Sequence, residues 1–435
     1  MYAACVMDHF ELRDGRLHCE DVPLDEIAEA VGTPVYVYSS ATMERHARIF
    51  GEALAGLDDP LIAYAVKANP NAAVLATLAR AGLGADIVSI GEYRRARAAG
   101  MAPEGIVFSG VGKTADEMAY ALRHGLCQFN LESVEEAEML SAIAVRLGLD
   151  APVAFRVNPD VVAGTHAKIT TGSARNKFGV PFTDAMAAYA RAAALPNLRI
   201  QGVAVHIGSQ LTDLSPLAAA FAKVGTLIAE LRAAGHAISH ADLGGGLGVP
   251  YDPSQPPPPS PELYGDMVRR ATRGWDVRLI FEPGRLIVGN AGVLLSRGIR
   301  VKPGVADPFV IVDAAMNDLM RPALYDAWHE IDAVTPRGGR MRANVVGPVC
   351  ESGDTFASER DMDAVAAGDL IVFRTAGAYA ATMASTYNSR PLTPEVLVSG
   401  SDWAVVRERL DVEALIQADR IPLWLEQAPR LRDAG

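Results

Sequence analysis

Cysteine is scarce in this chain of 435 residues. The four cysteines lie far apart, and no two of them form a CxxC pair: Cys5, Cys19, Cys127 and Cys350. Small disulfide-stapled domains and zinc ribbons need closely spaced cysteines, so the sequence predicts neither and favours a reduced, cytoplasmic location. Long apolar runs are also missing, which argues against a membrane-spanning helix. Residues 1–14 lack a basic region followed by an apolar one, so we expect no secretory signal.

Positive charge is in short supply, since 40 Lys and Arg stand against 52 Asp and Glu for a formal net charge of −12. A chain without basic runs is a poor candidate for a general nucleic-acid binder. Half of the residues are hydrophobic and 21% are charged, which indicates a folded chain with a large core. At roughly 150 residues per domain, or about 250 for an α/β barrel, the length favours two domains.

Short β-like runs alternate with helical stretches through the first two thirds of the chain. Eight such runs stand out, at residues 61–66, 85–88, 106–109, 127–131, 153–157, 202–206, 240–243 and 277–281. Between them lie Ala-, Leu- and charge-rich stretches with helical spacing. Eight strands alternating with helices predict an α/β fold, a (β/α)8 TIM barrel, in preference to an open doubly wound sheet.

The character of the sequence changes after Gly284. The runs at 292–301, 309–312, 370–374 and 395–398 are β-rich and broken by Gly and Pro, which predicts a second, mostly antiparallel β domain. We therefore expect three parts. Residues 1–35 pack with the β domain and contribute a strand, residues 36–284 form the barrel, and residues 285–435 form the C-terminal β-rich domain. The proline-rich stretch 252–261 predicts an extended surface loop.

Polar residues stand where the predicted barrel strands end, at the face where barrel enzymes carry their active sites. They are Lys67, Asp86, Ser109, Arg156, His206, Asp242 and Glu282. Such groups are costly to bury together unless they pair with one another or with a ligand. Lys67 is then either a lysine that extends to solvent or a Schiff-base lysine made nucleophilic by burial.

The seventh predicted strand runs into a glycine string at residues 244–248. The string does not match GxGxxG, because position 249 is Val, and it has no Walker lysine, so a dinucleotide or triphosphate site is poorly supported. Two interpretations remain, a tight turn or a cradle for a phosphate group. Barrel phosphate sites commonly use the loops that follow strands 7 and 8.

Two other strand ends admit a structural and a functional interpretation. Glu282 pairs with Arg285, or it keeps a pyridine nitrogen protonated so that the ring withdraws electrons. His206 is a core histidine, or it stacks on a cofactor ring while Ser209 contacts a phosphate. We expect no metal site: His236 and His240 are four residues apart, but Gly235 and the start of a predicted strand argue against one helical face.

A second group of candidates lies in the β-rich part, and its members are Arg321, Tyr325, Cys350, Glu351 and Tyr379. Each one alone is compatible with a surface or core role. Together with Lys67 and Glu282 they suggest a polar pocket shared between the domains.

These motifs together resemble those of the fold-type III pyridoxal-phosphate (PLP) decarboxylases over nearly the whole chain. The resemblance rests on residues 64–69, 206–210, 244–248, 282–285, 316–325 and 350–354. The stretches 321–325 and 347–352, and a third that begins at Asn176, are more specific to the diaminopimelate branch of that family.

The resemblance implies a PLP site with defined roles. Lys67 forms the Schiff base, His206 stacks on the ring, and Glu282 faces the ring nitrogen. The other residues implied in holding the cofactor, mainly its phosphate, are Asp86, Ser209, Gly245, Gly246, Gly284, Arg285 and Tyr379.

The resemblance also implies the substrate and the assembly. Arg285, Arg321 and Tyr325 fix the distal carboxylate of meso-diaminopimelate, with Tyr379 nearby; Glu351 meets its distal ammonium, and Cys350 gives a proton to Cα. The product is L-lysine, at the last step of its biosynthesis, and a homodimer shares its sites through the Cys350 loop. Decarboxylases of carboxynorspermidine, ornithine, arginine or a D-amino acid, a racemase and a non-catalytic PLP-binding protein are the alternatives.

Overall fold

Eight parallel strands pair in chain order around a closed ring. The computed structural model describes residues 8–161 and 177–426. Barrel strands 1 to 8 are Leu61–Ala65, Gly84–Ile87, Ile106–Phe108, Gln128–Leu131, Ala151–Asn158, Leu198–Ala204, His240–Asp242 and Arg278–Phe281. Strand 8 pairs in parallel with strand 1 through Ile280 and Leu61, which closes the ring. The predicted (β/α)8 barrel is therefore confirmed, and the open sheet is excluded.

Helices follow the barrel strands, as the alternation in the sequence predicts. They are Ala72–Arg80, Ile90–Ala98, Ala115–His124, Val134–Leu147, Ala185–Ala193, Ser215–Ala233 and Pro261–Ala271, with Ser40–Ala53 before strand 1 and Arg285–Val288 after strand 8. Several start at a side-chain cap that the sequence displays: Asn71, Ser89, Thr114, Ser133 and Ser260 each accept a backbone N–H of the first turn. Thr114 and Glu117 complete a capping box.

A second sheet is built from strands that precede and follow the barrel in the sequence. Its strands are Val35–Ser39, Gly292–Lys302, Phe309–Val312, Ile331–Ala333, Arg340–Val346, Thr355–Asp363, Leu370–Phe373, Glu395–Ser399 and Asp402–Arg407. Most neighbours are antiparallel, as predicted. Val35–Ser39 lies between Gly292–Lys302 and Glu395–Ser399, so the N-terminal strand joins this sheet. Residues 36–39, which our domain limits place in the barrel, thus pair in the second sheet.

The N-terminal segment packs on the second sheet. Strands Phe10–Arg13, Arg16–Cys19 and Val22–Pro23 form a small sheet that precedes the helix Leu24–Val31. The backbone N–H of Leu17 donates to the carbonyl of Val334 over 2.7 Å. The apolar side chains of this segment share one buried cluster with side chains of the second sheet: Phe10, Leu17, Val293, Val372 and Val396.

The remaining segments are short. A two-residue strand, Val180–Pro181, pairs with barrel strand 5, and the helix Arg321–Tyr325 lies within the second domain. The helices Val412–Ala418 and Leu423–Glu426 end the described chain. Residues 253–257 of the proline-rich stretch are exposed, in agreement with a surface loop. In residues 8–161 and 177–426, no helix is long and apolar enough to cross a membrane.

Candidate active site

Lys67 lies in the 3-10 turn Val66–Ala68 that follows barrel strand 1. Its Nζ donates to Oδ2 of Asp86, at the end of strand 2, over 2.6 Å. The Asp86 side chain is fully buried, whereas 40% of the Lys67 side chain is exposed. The amine therefore faces open space on one side and a buried carboxylate on the other. The second Asp86 oxygen, Oδ1, has no hydrogen-bond partner among the described residues.

The Lys67 amine is charged in this arrangement. Burial lowers its pKa, but the charges of Asp86, Tyr379 and Glu282 outweigh burial, and the pKa is raised overall. Burial alone therefore does not make Lys67 a nucleophile in this arrangement, and its Schiff-base role stays a prediction. A Lys67 amine must first give up its proton and its contact with Asp86 before it can attack a carbonyl carbon.

The glycine string after strand 7 brings backbone against backbone. A Cβ at Gly245 would lie 2.2 Å from the carbonyl oxygen of Glu282, and one at Gly246 would lie 2.4 Å from that of Gly208. Gly246 also has a φ of +115°, which other residues rarely adopt. The string is thus a tight turn that lets strands 6, 7 and 8 end close together, at the mouth of the barrel.

His206 presents a neutral ring to this mouth. The N–H of Gly245 donates to its Nδ1 over 3.2 Å, so this nitrogen carries a lone pair. Burial, followed by the charges of Arg156 and Lys67, lowers the pKa of the imidazole well below its usual value. An uncharged flat ring at this position is suited to stacking on an aromatic ligand.

Three acidic side chains lie at or next to the ends of barrel strands 2, 7 and 8: Asp86, Asp242 and Glu282. Ser109 Oγ donates to Glu282 over 3.3 Å, and Asn130 donates to Asp242 over 2.7 Å. Burial, followed by the charges of Asp242 and Asp86, raises the pKa of Glu282 well above its usual value. Burial also raises the pKa of Asp242 to about 6. The Asp242–Glu282 pair therefore retains a proton near neutral pH, because two adjacent buried carboxylates repel each other.

Arg285 and Arg321 are both buried on the side of the site that faces the second domain. Arg285 donates to Tyr251 Oη over 2.6 Å and to Ser209 Oγ over 3.3 Å, rather than to Glu282, so the simple ion-pair interpretation of Glu282 was wrong. The groups that raise the pKa of these guanidiniums are phenols. Within the described chain we find no carboxylate paired with either of them. Two buried cations with no counter-charge among the described residues are chemically suited to bind an anion.

Three adjoining cavities meet at Lys67 and His206, with volumes of about 40, 330 and 350 Å³. The smallest is lined by most of the predicted cofactor residues: Ser209, Gly245, Gly246, Glu282, Gly284, Arg285 and Tyr379. The largest adds the predicted substrate residues Arg321 and Tyr325. The structure thus brings these predicted residues to one place, and Asp86 reaches it through Lys67.

Two predicted residues lie elsewhere. Cys350 and Glu351 line none of these three cavities and are exposed to solvent. Their loop is nevertheless anchored, because Asp354 accepts the N–H groups of Met316 and Val349 over 2.6 and 2.7 Å. The predicted motif residue Asn176 lies outside the described residues.

Sequence reasoning missed Tyr251 and His329, which contact the two arginines. Tyr251 follows the glycine string by three residues, and an aromatic residue beside a predicted phosphate loop was a usable signal. For His329 the sequence offers no comparable signal. Within residues 8–161 and 177–426, no group of three or more His, Cys, Asp or Glu is arranged to hold a metal ion.

Comparisons with known proteins by family model, by sequence and by structure all point to the same family. Residues 40–289 match the family model "Pyridoxal-dependent decarboxylase, pyridoxal binding domain". The chain is similar to a diaminopimelate decarboxylase of Zymomonas mobilis, at 57% identity over 96% of this chain and 99% of the relative. It is also similar to one of Pseudomonas aeruginosa, at 50% identity over 95% and 99%. Among solved structures, a diaminopimelate decarboxylase from M. jannaschii in complex with L-lysine matches with a TM-score of 0.92, at 36% identity over 96% and 99%.

Proposed function

Since the chain belongs to the pyridoxal-dependent decarboxylases and, within them, to the diaminopimelate decarboxylases, we propose that it converts meso-2,6-diaminopimelate into L-lysine and CO2. The geometric observation that carries the proposal is the pair of buried guanidiniums, Arg285 and Arg321, across one cavity from Lys67. A substrate with a second carboxylate, remote from the reacting carbon, is what such a pair recognises. The step would be the last of lysine biosynthesis.

The residues around Lys67 fit pyridoxal 5'-phosphate, the cofactor of this family. Lys67 offers an amine for its aldehyde, His206 a neutral ring for its face, and Glu282 a carboxyl with a raised pKa for its nitrogen. When bound, the cofactor supplies an electron-withdrawing ring that stabilises the electron pair left at Cα by loss of CO2.

The phosphate end fits the remaining lining residues. Ser209 and Tyr379 offer hydroxyls, and the glycines at 245, 246 and 284 line the same cavity, where bare backbone can cradle a phosphate. Arg285 has an Nε–H with no partner among the described residues, so it can serve the phosphate, the substrate or both. Asp86 holds Lys67 in place.

Substrate binding relies on local charge and not on net charge. The chain carries a formal net charge of −12, yet Arg285 and Arg321 dominate the inner wall of the cavity of about 350 Å³. Guanidinium groups bind carboxylates through two parallel hydrogen bonds. In our proposal Arg285, Arg321 and Tyr325 hold the distal carboxylate and so place the other end of the substrate at Lys67.

We propose that the active form is a homodimer in which Cys350 and Glu351 complete the site of the neighbouring chain. An exposed thiol beside an exposed carboxylate, on a loop anchored by Asp354, supports a role outside this chain's own cavity. Tyr387 forms a side-chain hydrogen bond with Glu351, which raises the pKa of the Tyr387 phenol. The Cys350 thiol would give its proton to Cα and regain one from water.

Mixing two inactive variants tests the shared site. We expect Lys67→Ala and Cys350→Ala chains, mixed in equal amounts, to recover up to about a quarter of wild-type activity, because random pairing gives one intact site in half of the dimers. Turnover of diaminopimelate before and after subunit exchange is the measurement. Absence of recovery, in a sample where mass spectrometry of labelled chains shows that exchange took place, would contradict a shared site.

Substrate turnover tests the function itself. We expect purified protein supplied with PLP to release CO2 from meso-diaminopimelate and form L-lysine, and to prefer this substrate to ornithine, arginine, lysine and carboxynorspermidine. Each of these four compounds has a single carboxylate, the one that decarboxylation removes, so as a substrate it offers no distal carboxylate to Arg321. A preference for one of them would reject the proposed substrate, and absence of any CO2 release would favour a non-catalytic protein.

We also propose a cytoplasmic location. The three cysteines in the described chain, Cys19, Cys127 and Cys350, are unpaired thiols, which is typical of reducing compartments. Labelling of Cys350 by a thiol reagent in cell extract would show it reduced.

A further inference from the structure

The guanidinium of Arg321 is supported on two sides by rings that the family motifs did not single out. Its Nη1 lies 3.0 Å from Nε2 of His329, and its Cζ lies 4.4 Å from the centre of the Tyr251 ring. The Tyr251 and His329 rings meet edge to face, with centroids 5.5 Å apart and an interplanar angle of 79°. The two rings therefore form a corner into which the guanidinium fits.

The hydrogen bonds of His329 determine which of its nitrogens carries the proton. Its Nδ1 lies 2.8 Å from the carbonyl oxygen of Arg374, which can only accept, so Nδ1 donates. Nε2 then has a lone pair and accepts from Arg321. Burial, followed by the charge of Arg321, lowers the pKa of His329 to about 3, so the ring stays neutral. His329 thus orients Arg321 without bringing a competing charge.

Tyr251 contacts both arginines at once. Its hydroxyl accepts from Arg285 over 2.6 Å, while the face of its ring lies against Arg321. Burial raises the pKa of the phenol, but the charges of Arg285 and Arg321 outweigh burial and lower it overall. The two guanidiniums repel each other, since the charge of Arg285 lowers the pKa of Arg321. A shared partner is therefore needed to hold them near one another.

We propose that Tyr251 and His329 are positioning residues that hold Arg285 and Arg321 as one receptor for the far carboxylate of the substrate, and that they thereby set the preference for ligands that carry this carboxylate. The proposal rests on the proposed function, because the receptor is useful only for a substrate with two carboxylates. It assigns to Tyr251 and His329 an effect on the arginines, and not on the reacting atoms.

Two ligands of similar length separate this effect from general damage. L-lysine keeps the far carboxylate of diaminopimelate, whereas 1,5-diaminopentane has none. For the PLP-loaded protein we expect His329→Leu to weaken calorimetric binding of L-lysine by on the order of 10-fold or more, the loss typical of a charge-assisted hydrogen bond, and to change binding of 1,5-diaminopentane by less than about twofold. KM for diaminopimelate should rise more than kcat falls.

Conservative variants provide the rescue. Gln at position 329 can donate to the Arg374 carbonyl and accept from Arg321, so His329→Gln should recover most of the lysine binding lost in His329→Leu. Tyr251→Phe keeps the ring against Arg321 but removes the acceptor of Arg285, and should fall between wild type and His329→Leu. As a matched control, Tyr93→Phe removes a phenol that donates to Gly125 over 2.7 Å outside the three cavities, and should leave both affinities unchanged.

The outcomes distinguish this proposal from the proposed function. The positioning role would be overturned if His329→Leu weakened the binding of both ligands equally, or if His329→Gln did not recover lysine binding. This holds even if the wild-type protein decarboxylates diaminopimelate. A second outcome is also possible: His329→Leu loses lysine binding selectively, while the wild-type protein releases no CO2 from diaminopimelate. That result would support the carboxylate receptor and reject the proposed reaction. If His329→Leu does not fold, Tyr251→Phe alone decides, through the same ratio of the two affinities.

Discussion

Replacing Lys67 by alanine is expected to abolish decarboxylation and, in the same variant, to remove the near-visible absorbance of lysine-bound PLP. Lys67 is the amine on which all three cavities converge, and alanine offers no nucleophile for the cofactor aldehyde. The measurements are CO2 release from diaminopimelate and the absorbance spectrum at saturating PLP. Variants that keep both properties would reject Lys67 as the cofactor anchor.

The Lys67→Ala variant needs a control for stability, because Lys67 also pairs with Asp86. The alanine variant leaves the fully buried Asp86 carboxylate without its cation, which lies 2.6 Å away in wild type, and so can lower the stability of the fold. Lys67→Arg keeps a positive charge for Asp86, but the guanidinium stays protonated and does not attack a carbonyl. We expect Lys67→Arg to be as inactive as Lys67→Ala while unfolding closer to the wild-type temperature. A thermal melt followed by circular dichroism separates loss of chemistry from loss of fold.

The barrel could be predicted because its signals are local. Buried parallel strands are short apolar runs, and several helices between them begin at a side-chain cap, such as Ser89 or Thr114, that is visible in the sequence. The strands Arg340–Val346 and Thr355–Asp363 were missed for the opposite reason. Both carry charged residues and are partly exposed, and they are strands because they pair with each other antiparallel. Such pairing is a long-range property that β propensity does not report.

The position of the candidate site could be predicted from local signals, but some of its contacts could not. Lys67, His206 and Glu282 stand at the ends of recognisable strands, and the closure of the barrel brings strand ends together. The charge of Lys67 was not predictable, since it depends on how close the Asp86 carboxylate lies. The contact of Tyr251 with His329 was not predictable either, because the two residues are far apart in the sequence and lie in different domains.

Replacing Glu282 by glutamine is expected to leave PLP bound while slowing turnover by on the order of 100-fold or more, which corresponds to about 2.7 kcal/mol in the activation barrier. Burial and the neighbouring acids raise the pKa of Glu282, so its carboxyl keeps a proton that it can share with the ring nitrogen of the cofactor. The amide of glutamine has a similar shape and can hydrogen-bond to that nitrogen, but it cannot transfer a proton to it. The loss should therefore appear in kcat and not in cofactor affinity.

The pH dependence of this loss distinguishes a shared proton from a merely steric effect. Because a raised pKa keeps Glu282 protonated over a wider range, the proton is available in wild type at neutral pH, and kcat there should respond little to a modest further acidification. In Glu282→Gln the ring nitrogen has only solvent as a proton source, so kcat should rise as the pH falls. Glu282→Asp serves as the matched control, since it keeps a carboxyl and should retain more activity than glutamine despite its shorter side chain. Equal rates for wild type and Glu282→Gln, with PLP bound in both, would remove Glu282 from the chemistry altogether.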